Sequence, residues 1–144
     1  GALPGAAQFG DTDFFIAKFD SDLGLLNRKI VQVGVPATVT FGNSVTTDGR
    51  GNVYVAGETS GALDSNTRTI TNDFFVTKFS SSLVQQFVQQ MGVTGVRTAG
   101  YSVVTDVSGN VYVAGETSGA LDGNTRTRVT SDFFLTKYNS NFVK

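Results

Sequence analysis

Two short stretches carry hard oxygen donors in equivalent places, Asp64-Ser65-Asn66 and Asp122-Gly123-Asn124. Calcium takes six to eight such oxygens, and Asp-x-Asn is a fragment of many calcium loops. The other ligands of the full loop pattern are absent, so the favoured reading is an Asx-type turn bonded to nearby backbone. Neither a metal site nor a cofactor is expected. Glu58 and Glu116 follow identical strands, and Asp13, Asp73 and Asp132 open closely similar ones. Carboxylates held about 5–10 Å apart can hydrolyse glycosides. An active site, however, needs one asymmetric constellation, and these acids recur at a fixed period. They read as scaffold, paired for instance with Lys18, Lys78 and Lys137, and no catalytic residue is expected.

The chain has neither His nor Cys. Triads built on His, thiolate metal sites and disulfides therefore fall away. Arg68, Arg126 and Arg128 form a small basic cluster in equivalent loops, with Tyr54, Tyr101 and Tyr112 as ring candidates for stacking. Repeated loops of this kind at one rim could bind a glycan, although strand alternation buries several of those rings. Binding of carbohydrate or calcium is thus the alternative to a structural role.

The elements that position these residues are written more than once. Gly51 to Asp64, fourteen residues, returns letter for letter as Gly109 to Asp122. Gly-Ala-Leu recurs at Gly1, Gly61 and Gly119, and Asp-Phe-Phe at Asp13, Asp73 and Asp132. Such self-similarity marks a repeat architecture whose units bury their faces on one another. One unit is about sixty residues, which places the units at about 1–60, 61–118 and a partial 119–144 of a single module.

Four strands are read per unit. The first is Asp73 to Phe79, matched by Phe14 to Phe19 and Phe133 to Tyr138. Alternation puts Phe75, Thr77 and Phe79 on one face and Phe74, Val76 and Lys78 on the other, so both faces are largely apolar and the strand lies between layers. A second, more exposed strand falls within Leu83 to Met91, diluted by its Gln pairs. The third is Ser44 to Thr47, copied at Ser102 to Thr105, and ends in an Asp-to-Gly turn suited to a hairpin. The fourth is Val53 to Ala56, dense in β-formers, with Ala56 and Gly57 leaving room for close backbone approach. No segment keeps a helical period. The chain reads as all-β, in blades of four antiparallel strands, two full blades and the first strand of a third.

The run Asp-Phe-Phe-x-x-Lys-Phe/Tyr, then Gly-Asn-Val-Tyr-Val-Ala-Gly-Glu-Thr-Ser-Gly, then Ala-Leu-Asp-x-Asn-Thr resembles the bacterial seven-bladed β-propeller repeat family, SBBP. The resemblance implies a propeller-type fold and a secreted or cell-surface bacterial protein. It implies no activity. A seven-bladed ring of such units would need about 420 residues, whereas this chain cannot close a ring alone. Open blade faces and an unpaired strand edge are liabilities that proteins normally cover. The expectation is therefore a homo-oligomer or fibre, or a chain completed by further blades. The strand from Asp132 to Tyr138 is read as lacking hairpin partners and as a donor to a neighbouring copy. Phe133, Phe134, Leu135, Tyr138, Phe142 and Val143 form the assembly interface of that reading.

Composition agrees with a folded chain: 40% hydrophobic and 16% charged residues over 144, with seventeen Gly for tight turns. A formal charge of −1 offers no general attraction to nucleic acid or anionic membranes. No apolar run approaches the roughly 20 residues of a membrane span. The chain opens on Gly1 rather than Met without a visible signal peptide. It reads as a processed product, a cut fragment or the ordered part of something longer.

Overall fold

The computed structural model describes residues 1–3, 5–23, 29–126 and 130–144. Among them are nine strands, all paired antiparallel, and two single 3-10 turns at Leu63–Ser65 and Leu121–Gly123. The first sheet holds β1 (Phe14–Lys18) and β2 (Lys29–Val33). The second runs in the order β3 (Thr40–Thr47), β4 (Val53–Thr59), β5 (Asp73–Phe79) and β6 (Gln85–Met91). The third holds β7 (Thr98–Thr105), β8 (Val111–Thr117) and β9 (Asp132–Tyr138). A repeat has no intrinsic starting point. Hydrogen bonding sets the phase here, and the four-stranded sheet draws two strands from each side of residue 60.

The strand read as lacking partners has one. β9 pairs with β8 along its whole length, from Val111 opposite Tyr138 to Thr117 opposite Asp132. The loop after β8 turns the chain back as the loop after β4 returns β5, which pairs from Val53↔Phe79 to Thr59↔Asp73. Asp132 to Tyr138 is therefore a seated strand, and only its outer edge lacks a strand among the described residues.

The alternation expected for β5 holds. Phe74 and Val76 belong to the core between the second and third sheets, and Phe75 and Phe79 to the core between the first and second. The rings of adjacent sheets meet in pairs: Phe14 stacks on Phe75 at 5.4 Å, and Phe74 lies on Phe134 at 4.8 Å. In the second sheet the first Phe of the pair faces the third sheet and the second faces the first. Inner strands meet as well. Asn43 Nδ2 donates to the Gly100 carbonyl at 3.0 Å, and the Val103 N–H donates to Ser44 Oγ at 3.2 Å.

Hairpins between the inner strands close on Asp48 and Asp106. Asp48 Oδ1 accepts the N–H groups of Arg50 and Asn52, both at 2.9 Å, while Oδ2 accepts Asn52 Nδ2 at 2.8 Å and the Tyr54 hydroxyl at 3.0 Å. Asp106 repeats the set with Ser108, Asn110 and Tyr112. Partial burial pushes the Asp48 carboxyl up, but these hydrogen bonds outweigh it and hold the group below its ordinary value. The Asn110 amide, with its companions, holds Asp106 below as well. Carboxyls depressed in the folded state add stability above about pH 4 that is lost as pH falls through their folded values. Acid unfolding should therefore steepen below about pH 4. A double Asp48→Asn, Asp106→Asn protein should start less stable and lose less on acidification. Equal slopes in denaturant midpoint against pH for both proteins would count against this assignment.

Candidate functional site

The residues with most chemistry in them gather at the ends of β4 and β8. Arg97, immediately before β7, forks onto Glu58 of the preceding sheet, with Nε 2.7 Å from Oε2 and Nη2 2.5 Å from Oε1. Its Nη1 donates to Glu116 Oε1 at 2.7 Å and to the Tyr101 hydroxyl at 2.9 Å. That hydroxyl donates in turn to Glu116 Oε1 at 2.7 Å, and this bond comes first among the causes holding the Glu116 carboxyl below its usual range. One guanidinium thus locks two sheets together. Bidentate pairing with carboxylates suits its planar fork. Both glutamates are engaged in an inter-sheet clamp, and the lysine partners expected for the repeated acids are not the ones used here.

The aspartates that open the strands also bind neutral donors. Asp73 is fully buried and accepts the Thr69 N–H at 2.9 Å, the Thr69 hydroxyl, and Gln90 Nε2 at 2.8 Å. Asp13 accepts the N–H groups of Phe9 and Gly10 and Nε2 of Gln32. Lys78 instead stands over the Tyr54 ring at 5.7 Å and Lys137 over Tyr112 at 5.4 Å, while Lys18 Nζ donates to the Ser81 carbonyl. The reason is geometric. On a strand, positions five apart point to opposite faces, so Asp73 and Lys78 cannot meet.

The Asp-x-Asn loops form the two 3-10 turns. Asn66 Nδ2 donates to the Leu63 carbonyl at 2.7 Å, and Asn124 Nδ2 to that of Leu121 at 3.0 Å. These amides close the turn, and Asp122 is paired with Lys144. No cluster of three or more metal-ligating side chains occurs among the described residues. Tyr54 is buried with its hydroxyl on Asp48, while Tyr101 is exposed with its hydroxyl tied into the clamp and Arg97 over its ring at 5.8 Å. Arg68 is exposed and donates to the Thr69 carbonyl. Arg126 is exposed too, and Arg128 lies outside the described residues.

The expected interface residues separate into two groups. Tyr138 and Phe142 are buried, stacked on each other at 5.4 Å, and serve the core of this chain. Phe134 is half-buried against Phe74. Phe133, Leu135 and Val143 are exposed, Phe133 at 86%. At the other end of the molecule Phe15 is exposed at 58%. Phe133 occupies the position of Phe74, and Phe15 that of Phe75, both of which are 0% exposed inside the molecule. Each open face therefore carries one half of a joint that is closed twice within the chain.

The family model described as SBBP, Beta-propeller repeat, matches residues 29–64 and 86–121, together half of the chain. No curated protein matches the chain. Each match starts in an outer strand, β2 or β6, and ends at a Gly-Ala-Leu loop, so it spans the joint between two sheets.

Proposed function

We propose, on the premise that this chain belongs to the SBBP beta-propeller repeat family, that it is a structural module which stacks head to tail on further copies of its own sheets. The observation that carries this reading is the pair of unmatched ring positions, Phe15 at one end and Phe133 at the other. Their equivalents meet as Phe14–Phe75 and Phe74–Phe134. A heterologous contact of this kind closes into a ring if the rotation closes and grows into a fibre if it does not. Contiguous exposed apolar surface on a β-sheet protein marks an interaction site. Secretion or display at the cell surface is part of the proposal, supported by the resemblance of the repeat motif, and protease accessibility on intact cells tests it. This reading gives the chain no catalytic role, since its repeated carboxylates serve clamps and turns. No helix is long and apolar enough to cross a membrane among the described residues.

Native mass by light scattering tests the stacking. The parent chain should associate with rising concentration, and Phe15→Asp or Phe133→Asp should each abolish growth. Because the two variants damage opposite faces, mixing them should restore a dimer and nothing larger. A parent that stays monomeric, or a mixture that behaves as two separate monomers, overturns the proposal.

A further inference from the structure

We propose that a cavity at the joint of the first and second sheets, beside Asp64, is a seat for a small protonated primary amine on an unbranched alkyl stem. The inference concerns an interior joint and stands apart from the stacking of end faces proposed above. The joint of the second and third sheets shows how such a seat is filled. There the ammonium of Lys144 pairs with Asp122 and lies 3.6 Å from Met91 Sδ, so one cation spans from the loop after β8 to the end of β6. A lysine stem lies readily along apolar surface while its head stays on a carboxylate in reach of water.

The earlier joint has each part of this arrangement except the cation. Asp64 holds the place of Asp122 in the repeated loop. Val33 holds that of Met91, since Phe14↔Val33 and Phe74↔Met91 are equivalent pairs. Gln85 holds that of Lys144. Each follows a turn closed in the same way, by the Ser80 N–H on the Val84 carbonyl and by the Asn139 N–H on the Val143 carbonyl, both at 2.8 Å. A neutral amide thus stands where the other joint has an ammonium. Val33, Asp64 and Gln85 line one cavity of about 400 Å³, walled further by Phe9, Val35 and Leu63. Asp64 is exposed, and among the described residues its carboxylate has neither a hydrogen bond nor an ion pair. Lys18 and Lys29 of the first sheet donate instead to the carbonyls of Ser81 and Ser82. Apolar walls with a single charged group select a ligand that is apolar along its length and positive at its tip.

The probe is n-pentylammonium chloride, titrated into the full chain near neutral pH and followed by the amide NMR shifts of residues 33–35 and 62–64. Saturable shifts with a dissociation constant on the order of 1 mM are expected, because an exposed ion pair adds little to the burial of the stem. 1-Pentanol, the same stem without the charge, should bind about three to five times more weakly. Asp64→Asn should weaken pentylammonium by a similar factor. Asn tolerates the left-handed backbone of Asp64, at φ +47°, so the charge is removed and the turn kept. Gln85→Lys supplies the cation from within the chain, as Lys144 does in the other joint. It should exclude the added amine and raise the denaturant midpoint, and that gain should vanish when Asp64→Asn is added. Absence of saturable shifts, equal binding of pentanol and pentylammonium, or a Gln85→Lys gain that survives Asp64→Asn overturns the proposal. Stacking is read separately by mass, so either idea can fail alone.

Discussion

A Phe74→Ala protein should unfold at much lower denaturant than its parent, with a loss of about 3–5 kcal/mol. Phe74 is 0% exposed at the centre of the joint between the second and third sheets, 4.8 Å from the Phe134 ring. Truncation removes the transfer term of a whole ring and the packing of an aromatic pair, and leaves a cavity between two sheets that the clamp of Arg97 on Glu58 and Glu116 holds at a fixed distance. Two rigid layers cannot easily collapse onto a hole, which places the cost toward the upper end of the range. Phe133→Ala is the matched control. The ring has the same place on its strand but is 86% exposed, so the monomer should change by no more than about 0.5 kcal/mol. Chemical denaturation at a concentration low enough to prevent association compares them. Similar losses for both would mean that the joint is not where the stability resides.

Much of this arrangement is legible in the residues themselves. The doubled Phe of each Asp-Phe-Phe announces a strand buried on both faces, and β5 is that strand. The Asp-to-Gly turns and the exposure of β6 follow from local chemistry. What sequence reasoning could not supply is pairing across sheets. Arg97 has Val39 at its equivalent position in the preceding unit, so nothing periodic marks it, yet it holds both glutamates. The signal available was indirect: two carboxylates ending apolar strands require a cation, and Arg97 precedes the next inner strand by one residue. Gln32 and Gln90 were harder still. A Gln in a weak strand dilutes its apolar pattern, and only the structure reveals that its amide spans from the loop to the strand-opening aspartate. The phase of the sheets was hidden for a related reason. Hairpin chemistry in β3–β4 and β5–β6 is local, whereas the joining of β4 to β5 across the loop of residues 60–72 is not. That same joining explains why β9 is a seated strand, paired along its length with β8.

The clearest single-atom test of the sheet geometry is Gly57→Ala, which should cost more than the roughly 1–3 kcal/mol usual for overpacking and leave little native protein. Gly57 sits in β4, the strand between β3 and β5, opposite Gly42 on one side and Phe75 on the other. A Cβ there would stand 1.8 Å from the Phe41 carbonyl oxygen and 3.0 Å from Phe75 Cε1. The first contact is backbone and cannot rotate away. It lies at the bulge between Gly42 and Ser44, where the inner strand bends toward its neighbour. To admit one methyl group, β3 would have to leave the ladder, losing the bond that Asn43 donates to the Gly100 carbonyl and the one that Ser44 accepts from the Val103 N–H. The repeat reproduces the constraint, since a Cβ at Gly115 would lie 2.0 Å from the Ala99 carbonyl oxygen. Gly49→Ala, in the turn that follows β3, is the control. Nothing lies within 4 Å of its Cβ position, and the second unit already has Val107 there, so the change should stay within about 0.5 kcal/mol. Circular dichroism and denaturant midpoints for the two variants decide the matter. If Gly57→Ala matched Gly49→Ala, the inner strands would have to be far more yielding than a bulge pressed against a central glycine allows.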